Sequence, residues 1–191
     1  PEPRWQVSLA PSFEHDVNAR QYVLDRDGGT QATFGRRYLF AFTDRTTLAM
    51  ETRLSFTLKP DMNIDLFAQP FAASGRFYDH GELEDVGSRF LLTYGSDGTT
   101  IDRAEDGSHT VQDGADSFTI PNRDFNVRSF RSTAVLRWEW SPGSTLFLVW
   151  QQDRSGNAPI DASAGLDDVF GSLNHTLSGA AAPPPPTLAA L

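Results

Sequence analysis

The most regular pattern of hydrophobic and polar residues lies between residues 46 and 72. Apolar and polar residues alternate through two stretches, 46–58 and 63–72, and a short turn at 59–62 separates them. An alternation with a period of two predicts β-strands that have one apolar and one polar face. We therefore expect a long β-hairpin in this part of the chain.

The first strand of this hairpin is unusually long. Strands in globular proteins usually have about 5–6 residues, but residues 46–58 alternate without a break. At about 3.3 Å per residue such a strand would reach ~40 Å, and a tilt of ~45° would carry it across ~30 Å of bilayer. The length predicts a strand in the wall of a transmembrane β-barrel.

Five further segments have strand-like patterns, joined by polar links and turns. They are residues 4–14, 20–24, 36–43, 126–140 and 145–153. A polar link at 15–19, a turn at 25–29 and a short link at 44–45 are expected between the early segments. The sequence Ser-Pro-Gly-Ser at 141–144 predicts a second tight turn, because Pro and Gly favour the central turn positions. The expected fold class is all-β, an antiparallel meander of long strands. The sequence does not decide which side chains of residues 145–153 lie on the apolar face, because their apolar run is nearly continuous.

Residues 76–124 interrupt the pattern and are rich in glycine and acidic residues. Two runs within them, 90–94 and 118–120, predict small β-ribbons, and Asp-Gly pairs predict turns beginning at Asp97, Asp106 and Asp113. Outer-membrane barrels have long extracellular loops and short periplasmic turns. We therefore expect barrel strands over residues 1–155, with a long extracellular loop at about 76–124.

The remaining residues, 156–191, have no regular alternation. Residues 166–170 predict one short helical turn, and the sequence is of low complexity from about residue 178. Four consecutive prolines at 183–186 favour an extended polyproline conformation. We expect an irregular tail.

Composition narrows the classes of function. Only 39% of the residues are hydrophobic, and no run approaches the ~18 apolar residues that a membrane-spanning helix needs. The net charge of −9 argues against nucleic acid as a partner and against docking on anionic lipid. Cysteine is absent, so disulfides, thiolate nucleophiles and cysteine metal sites are excluded.

We expect no catalytic residue, cofactor or metal site. The sequence has no nucleophile elbow, phosphate loop or dinucleotide-binding motif. The histidines lack the spacing of metal ligands and are expected at the surface; they are His15, His80, His109 and His175.

The polar face of the predicted barrel wall supplies the candidate functional residues. They would line the lumen and are Glu51, Arg53, Asp65, Gln69, Arg131, Arg137 and Glu139, together with Glu14. Such residues could bind a hydrophilic solute or allow its passage. The preferred interpretation is that they only fill a wet barrel interior with paired charges and bind no ligand. Glu51 and Asp65 could also form the acid pair of a glycosidase, which needs carboxylates ~5–10 Å apart. The sequence leaves the register of their strands open.

Two long segments resemble a known family. Residues 52–77, TRLSFTLKPDMNIDLFAQPFAASGRF, and residues 124–155, DFNVRSFRSTAVLRWEWSPGSTLFLVWQQDRS, are similar to consecutive hairpins of one group of bacterial proteins. These are outer-membrane β-barrel proteins of undetermined function, and the resemblance covers roughly residues 1–170. Family members typically begin with a β-sandwich similar to a family-9 carbohydrate-binding module, which this chain lacks. The resemblance implies an outer-membrane location, lipid as a partner, and carbohydrate recognition through that absent N-terminal module.

The C-terminal end departs from the family pattern. Family members end with a last strand rich in aromatic residues, whereas residues 172–191 show no alternation. We expect the closing strand to be missing, which would leave about seven strands with two open edges; unpaired backbone groups in lipid cost several kcal/mol each. The chain is then expected not to span a membrane alone. Because it begins at Pro1 without a signal peptide, we also expect a piece of a longer protein or a processed product.

The sequence therefore predicts a segment of an outer-membrane barrel, which anchors a carbohydrate-recognising protein and allows solute passage. The alternative is a soluble β-sheet domain that binds carbohydrate, with or without glycoside hydrolase activity. A soluble barrel or sandwich would also alternate, with its apolar face turned to a core. Strand length and the bulky residues on one face favour the membrane.

Overall fold

The computed structural model describes residues 4–157 and 188–190, and these residues form mostly β-structure. The strands are β1 Trp5–Asp27, β2 Arg36–Lys59, β3 Met62–Leu83, β4 Leu91–Thr93, β5 Thr99–Arg103, β6 His109–Asp113, β7 Asp116–Ile120, β8 Phe125–Ser141, β9 Ser144–Asn157 and β10 Leu188–Ala190. A short 3₁₀ helix at Gln31–Thr33 lies between β1 and β2. The predicted all-β class, with long antiparallel strands in a meander, is confirmed.

The strands form two sheets. The larger sheet has the order β1-β2-β3-β8-β9-β10, with β4 paired to β3, and the smaller sheet has the order β5-β6-β7. Within the described ranges no pairing joins β1 to β10, so the larger sheet is open and not a closed barrel. No helix among residues 4–157 and 188–190 is long and apolar enough to cross a membrane.

The chain divides into two compact units. Unit 1 comprises residues 1–14, 46–74 and 126–191, and unit 2 comprises residues 15–45 and 75–125. Unit 1 contains both tight turns, and unit 2 contains the smaller sheet.

Both predicted tight turns are confirmed. Two residues, Pro60 and Asp61, connect β2 to β3, and Pro142 and Gly143 connect β8 to β9. Gly143 has a φ of +81°, which glycine adopts without steric cost. Such short loops fix the register of a hairpin, and Ser141 accordingly lies opposite Ser144.

The early strands are longer than the sequence predicts. β1 continues through the predicted link at 15–19, and β2 continues through the predicted link at Asp44 and Arg45. The Nδ1 atom of His15 lies 3.4 Å from Asp44 Oδ1, and Arg45 Nε lies 3.5 Å from Asp16 Oδ1. Polar side chains on one strand therefore contact polar side chains on the next, and these residues do not interrupt the strands.

The predicted loop at 76–124 contains more regular structure than expected. β3 continues to Leu83, and the segment after it contains β4 and the smaller sheet. The short β-ribbons predicted at 90–94 and 118–120 are confirmed as β4 and β7. Gly98 and Gly107 have φ values of +87° and +79°, as expected of the predicted Asp-Gly turns.

The tail predicted at 156–191 is described only in part. β9 extends to Asn157, and the backbone of Leu188–Ala190 pairs with β9, with Leu188 opposite Trp150. These three residues are a strand where the sequence predicts irregular structure. The helical turn predicted at 166–170 and the prolines at 183–186 lie outside the described residues.

Gly75 lies inside β3, and the absence of a side chain at this residue leaves room for an aromatic ring. A Cβ atom added at Gly75 would overlap the ring of Phe125. Both residues belong to unit 2. The ring of Phe125 thus packs directly on the backbone of β3, as aromatic side chains do over glycines in sheets.

Replacing Gly75 by alanine is expected to destabilise unit 2 by about 1–3 kcal/mol, because overpacking forces side chains or backbone to move. Denaturant unfolding monitored by near-UV circular dichroism would measure this loss. In a protein that also carries Phe125→Leu, the Gly75→Ala substitution should reduce the free energy of unfolding by less than it does alone. A double-mutant cycle would then show a favourable coupling between the two substitutions. Strictly additive losses would show that the ring does not pack on the glycine.

The main hydrophobic core belongs to unit 2. Its buried residues come from the long strands, from the position after β4, and from the smaller sheet; they are Val23, Leu39, Ala41, Tyr94, Val111 and Ile120. The partly buried residues around them are Leu24, Phe77, Ile101 and Phe118. The smaller sheet therefore covers the face of β2 that carries Leu39 and Ala41.

Candidate functional site

Polar residues of unit 1 oppose polar residues on neighbouring strands. The N–H of Thr57 donates to the carbonyl oxygen of Arg4 at 2.8 Å, and the hydroxyl of Ser55 donates to Asp65 Oδ1. The N–H of Glu139 donates to the carbonyl oxygen of Asp61 at 2.8 Å. Directly opposed residues project to one face of a sheet. The polar residues of successive strands therefore share one face, and the apolar residues that alternate with them share the other.

We call the face of the sheet that carries the apolar residues the apolar face. On β1 and β2 it consists of Trp5, Val7, Leu9, Phe13, Leu48, Met50, Leu54, Phe56 and Leu58. On β8 and β9 it consists of Phe130, Ala134, Leu136, Trp138, Trp140, Leu146, Leu148 and Trp150. Leu148 lies opposite Leu136 and Trp150 opposite Ala134, which settles the facing of β9 that the sequence leaves open.

The residues that we list for the apolar face are exposed or partly exposed. The exposed fractions of Trp5, Phe13 and Trp140 are 62%, 68% and 60%. The buried residues described for this unit are few, and they are Pro70, Ala72, Ala73, Ser74 and Asn126. The described strands of unit 1 therefore form a single layer, whose hydrophobic cluster is limited to Ala72 and the partly buried Leu48.

The predicted lumen-lining residues lie on the opposite face, which we call the polar face, and several of them are paired. Arg53 Nη2 lies 2.7 Å from Glu51 Oε1, and the Arg53 guanidinium lies 5.7 Å from the centre of the Phe67 ring. Arg131 Nε lies 3.1 Å from Asp153 Oδ2 on the next strand. These pairs are exposed, so each adds only about 0–1 kcal/mol to stability.

The other predicted residues of the polar face make local contacts or are placed by alternation. Asp65 accepts hydrogen bonds from Ser55 and, at 3.0 Å, from the Asn63 amide. Glu139 Oε1 accepts a hydrogen bond from the N–H of Gly143 at 3.1 Å, inside the tight turn. Three further residues lie on this face by alternation, namely Glu14, Gln69 and Arg137.

Glu51 and Asp65 do not have the spacing of a glycosidase acid pair. The Ser55–Asp65 hydrogen bond and the Arg53–Phe67 contact set the register of β2 against β3. Glu51 then lies opposite Gln69, which is four residues or ~13 Å along β3 from Asp65. A glycosidase needs the two carboxylates at ~5–10 Å.

A charged cluster in unit 2 was missed by the sequence analysis. We define it by Arg26, Arg37, Glu82, Tyr94, Asp113, Asp116 and Phe118. At its centre the Arg37 side chain is only 12% exposed; it bonds to Asp113 and lies 3.6 Å from Glu82 Oε2. Arg26 Nη1 lies 2.6 Å from Asp116 Oδ2. The cluster thus links the smaller sheet to β1, β2 and β3.

An aromatic ring and a tyrosine complete the charged cluster. The guanidinium groups of Arg26 and Arg37 lie 4.3 Å and 5.5 Å from the centre of the Phe118 ring. The hydroxyl of Tyr94 donates to Glu82 Oε2 at 3.0 Å. No sequence pattern connects these residues, because they come from five separate segments and meet only when the smaller sheet packs on the long strands.

The pKa values in the charged cluster follow from burial and pairing. Burial lowers the pKa of Arg37, but the hydrogen bond to Asp113 and the charge of Glu82 outweigh it, so the net pKa is raised. The hydrogen bond from Arg26 lowers the pKa of Asp116. Burial, together with Glu82, raises the pKa of Tyr94. Arg37 and Asp116 therefore stay charged, and Tyr94 stays neutral, over the physiological range.

Two histidines of unit 2 are in ring contact, and the expectation that they lie at the surface is wrong for His80. The exposed fraction of His80 is 3%, and its ring centre lies 4.6 Å from that of His109. Burial and the neighbouring His109 lower the pKa of His80 to about 4. His15 is half exposed, and His175 lies outside the described residues.

A metal site is not formed by the part of the chain that the structure describes, where no three His, Cys, Asp or Glu side chains are grouped to hold an ion. No family model, curated protein or solved structure matches this chain. Its function has to be inferred from the geometry of its two units.

Proposed function

We propose that unit 1 is part of the wall of a bacterial outer-membrane β-barrel, which serves as a membrane anchor and allows passage of a hydrophilic solute. The observation that carries the proposal is the single-layer sheet of unit 1 with an exposed apolar face. The resemblance to outer-membrane proteins with a carbohydrate-binding module adds the proposal that the anchored protein recognises carbohydrate.

The exposed apolar face requires a cover. A sheet with one hydrophobic face is stable only when that face is buried against another layer. A soluble sandwich or barrel turns this face to its own core, but among the described residues of unit 1 the buried apolar side chains are only those of Pro70, Ala72 and Ala73. Hydrocarbon of a bilayer would cover Trp5, Phe13 and Trp140, whereas the soluble alternative leaves them in water.

The length of the apolar face fits an outer membrane. From Leu48 to Leu58 on β2, and from Phe130 to Trp140 on β8, each apolar stretch spans ten residue steps. Ten steps correspond to ~33 Å along a strand, or ~23 Å across the bilayer at a tilt of ~45°. The apolar band of outer-membrane barrels is ~25 Å tall.

Aromatic residues gather near the tight turns. Trp138 and Trp140 lie next to the Pro142–Gly143 turn, with ring centres 6.4 Å apart. Trp5 lies at the start of β1, one residue after Arg4, which bonds to Thr57 near the other turn. Aromatic residues of barrels form girdles at the membrane interfaces. In the proposal this end of unit 1 is the periplasmic end, and residues 76–124 belong to the extracellular side.

The proposal also requires partners for the edges of the sheet. Backbone groups at membrane depth must all be hydrogen-bonded, so an open edge does not persist in lipid. Among the described residues, β1 has no partner on its outer edge, and β10 pairs with Leu148, Val149 and Trp150 of β9. These edges would pair with further strands or with each other to complete the barrel.

Tryptophan fluorescence in lipid vesicles tests the proposal. The chain has four tryptophans, Trp5, Trp138, Trp140 and Trp150, and all belong to unit 1. After refolding of the full chain in detergent and transfer to vesicles, lipids brominated on their acyl chains should quench most of the emission. Iodide in the water should quench little.

The same measurement distinguishes the membrane proposal from the soluble alternative. A chain that stays monomeric in buffer without detergent, with tryptophans quenched by iodide and not by brominated lipid, would contradict the membrane proposal. Unbrominated vesicles of the same headgroup composition are the matched control.

A further inference from the structure

The two histidines in ring contact connect the smaller sheet to β3. His109 is the first residue of β6, the central strand of the smaller sheet, and His80 belongs to β3. Their ring planes are inclined by 43°. β3 is distorted next to this contact, because Asp79 has a φ of +47°. The contact therefore lies where two separate sheets of unit 2 meet.

The charged groups around the two rings come from several elements. Asp124, from the connection between β7 and β8, has a side chain that is only 5% exposed. Its Oδ1 accepts from the N–H of Phe77 at 2.7 Å, and its Oδ2 lies 3.0 Å from Nη2 of Arg103 on β5. Asp79 on β3 is the remaining charged group that acts on His80.

A second proton on these imidazoles has little to stabilise it. In the described residues the Nδ1 atom of His109 is buried and has no hydrogen-bond partner. Both oxygens of Asp124 are already engaged, and Arg103 adds a positive charge near His109. Two imidazolium rings with centres 4.6 Å apart would also repel each other. Protonation thus opposes the contact through desolvation and through like charge.

We propose that the His80–His109 pair is a pH-sensitive contact, and that mild acid loosens the smaller sheet from β3. The pair is stable while both rings are neutral. Protonation favours an open arrangement in which water reaches both rings. This proposal concerns unit 2 alone and does not depend on whether unit 1 lies in a membrane.

The sign of the pH dependence follows from the pKa values. The pKa of His80 is lowered from 6.5 to about 4 in the closed arrangement, and burial and Arg103 lower the pKa of His109 as well. The stabilising effect is complete above pH ~6.5, decreases as the pH falls, and is lost below pH ~4. For His80 alone, the opening equilibrium should rise about 20-fold between pH 7 and pH 5.

The charged cluster would not loosen the smaller sheet between pH 7 and pH 5. Arg26 and Asp116 remain paired at pH 5, because the pKa of Asp116 is lowered by their hydrogen bond. The pKa of Arg37 is raised in the net. A loosening between pH 7 and pH 5 would therefore report on the histidines.

Hydrogen exchange of the full chain, measured by mass spectrometry and corrected for intrinsic rates, tests the proposal. Peptides that cover β6 should lose about 20-fold in protection from pH 7 to pH 5. The double variant His80→Phe/His109→Phe keeps two aromatic rings at these positions but cannot titrate, so its protection should be independent of pH. His15→Gln, at an exposed histidine of the same unit, should behave like the unmodified chain.

Two outcomes would overturn the proposal. One is equal protection of β6 at pH 7 and pH 5 in the unmodified chain. The other is an unchanged pH dependence in the double variant. Should that variant not fold, proton NMR of the unmodified chain decides, because His80 should titrate near pH 4; a midpoint near 6.5 would refute the mechanism.

Discussion

Replacing Arg37 by methionine is expected to destabilise unit 2 by about 2–3 kcal/mol. Removing one partner of a fully buried ion pair costs about 3–5 kcal/mol, because the remaining charge stays desolvated and unpaired. Arg37 and Glu82 are 12% and 16% exposed, but the side chains of Asp113 and Asp116 are 33% and 37% exposed. Water can therefore solvate part of the charge that is left, which reduces the loss.

The adjacent arginine provides the matched control. Arg36 also contacts two aspartates, Asp25 and Asp27, but its side chain is 42% exposed. Solvent screens such pairs, so Arg36→Met should leave the free energy of unfolding almost unchanged. Urea unfolding of both variants, followed by near-UV circular dichroism, gives the comparison. Equal losses in the two variants would show that the charged cluster does not hold the smaller sheet.

Leu136→Arg is expected to have the second large effect, a loss of about 2–4 kcal/mol in folding into a bilayer. Charged substitutions on the lipid face of a barrel have this cost near the midplane. Leu136 lies in the middle of the apolar stretch of β8, opposite Leu148. Urea titrations of folding into vesicles would measure the difference from the unmodified chain.

Val135, the residue next to Leu136, provides the control that tests which face of the sheet contacts lipid. Val135 lies opposite Val149 on the polar face, so Val135→Arg places the same charge at the same depth on the other side of the sheet. Its effect should be small, because substitutions that face a wet lumen are tolerated. Similar losses for both arginines would argue that lipid does not contact the apolar face.

The strands near the tight turns could be predicted closely, because alternation and turn chemistry agree there. β8 at Phe125–Ser141 differs from the predicted 126–140 by one residue at each end. The predicted link at Asp44 and Arg45 was wrong for a physical reason, since their side-chain partners, His15 and Asp16, belong to another strand. Cross-strand pairs cannot be read from the pattern of one segment.

The polar face could be predicted, but the contacts of unit 2 could not. Alternation alone places Glu51, Arg53 and Asp65 on one face, and their neighbours follow once the hairpin register is known. The charged cluster and the histidine pair depend on tertiary packing of the smaller sheet. His80 and His109 are 29 residues apart in the sequence, and no periodic pattern joins them.

The smaller sheet also has a consequence for the order of folding. β3 and β8 are neighbours in the larger sheet, yet Gly75 and Phe125 are separated by fifty residues, so their pairing closes a long loop. The smaller sheet is built from short local hairpins over residues 99–120, which can form within microseconds. Once formed, it shortens the flexible loop by nearly half, which lowers the entropic cost of closure by about 0.6 kcal/mol. Early formation of β5–β7 would therefore accelerate the joining of the two long hairpins.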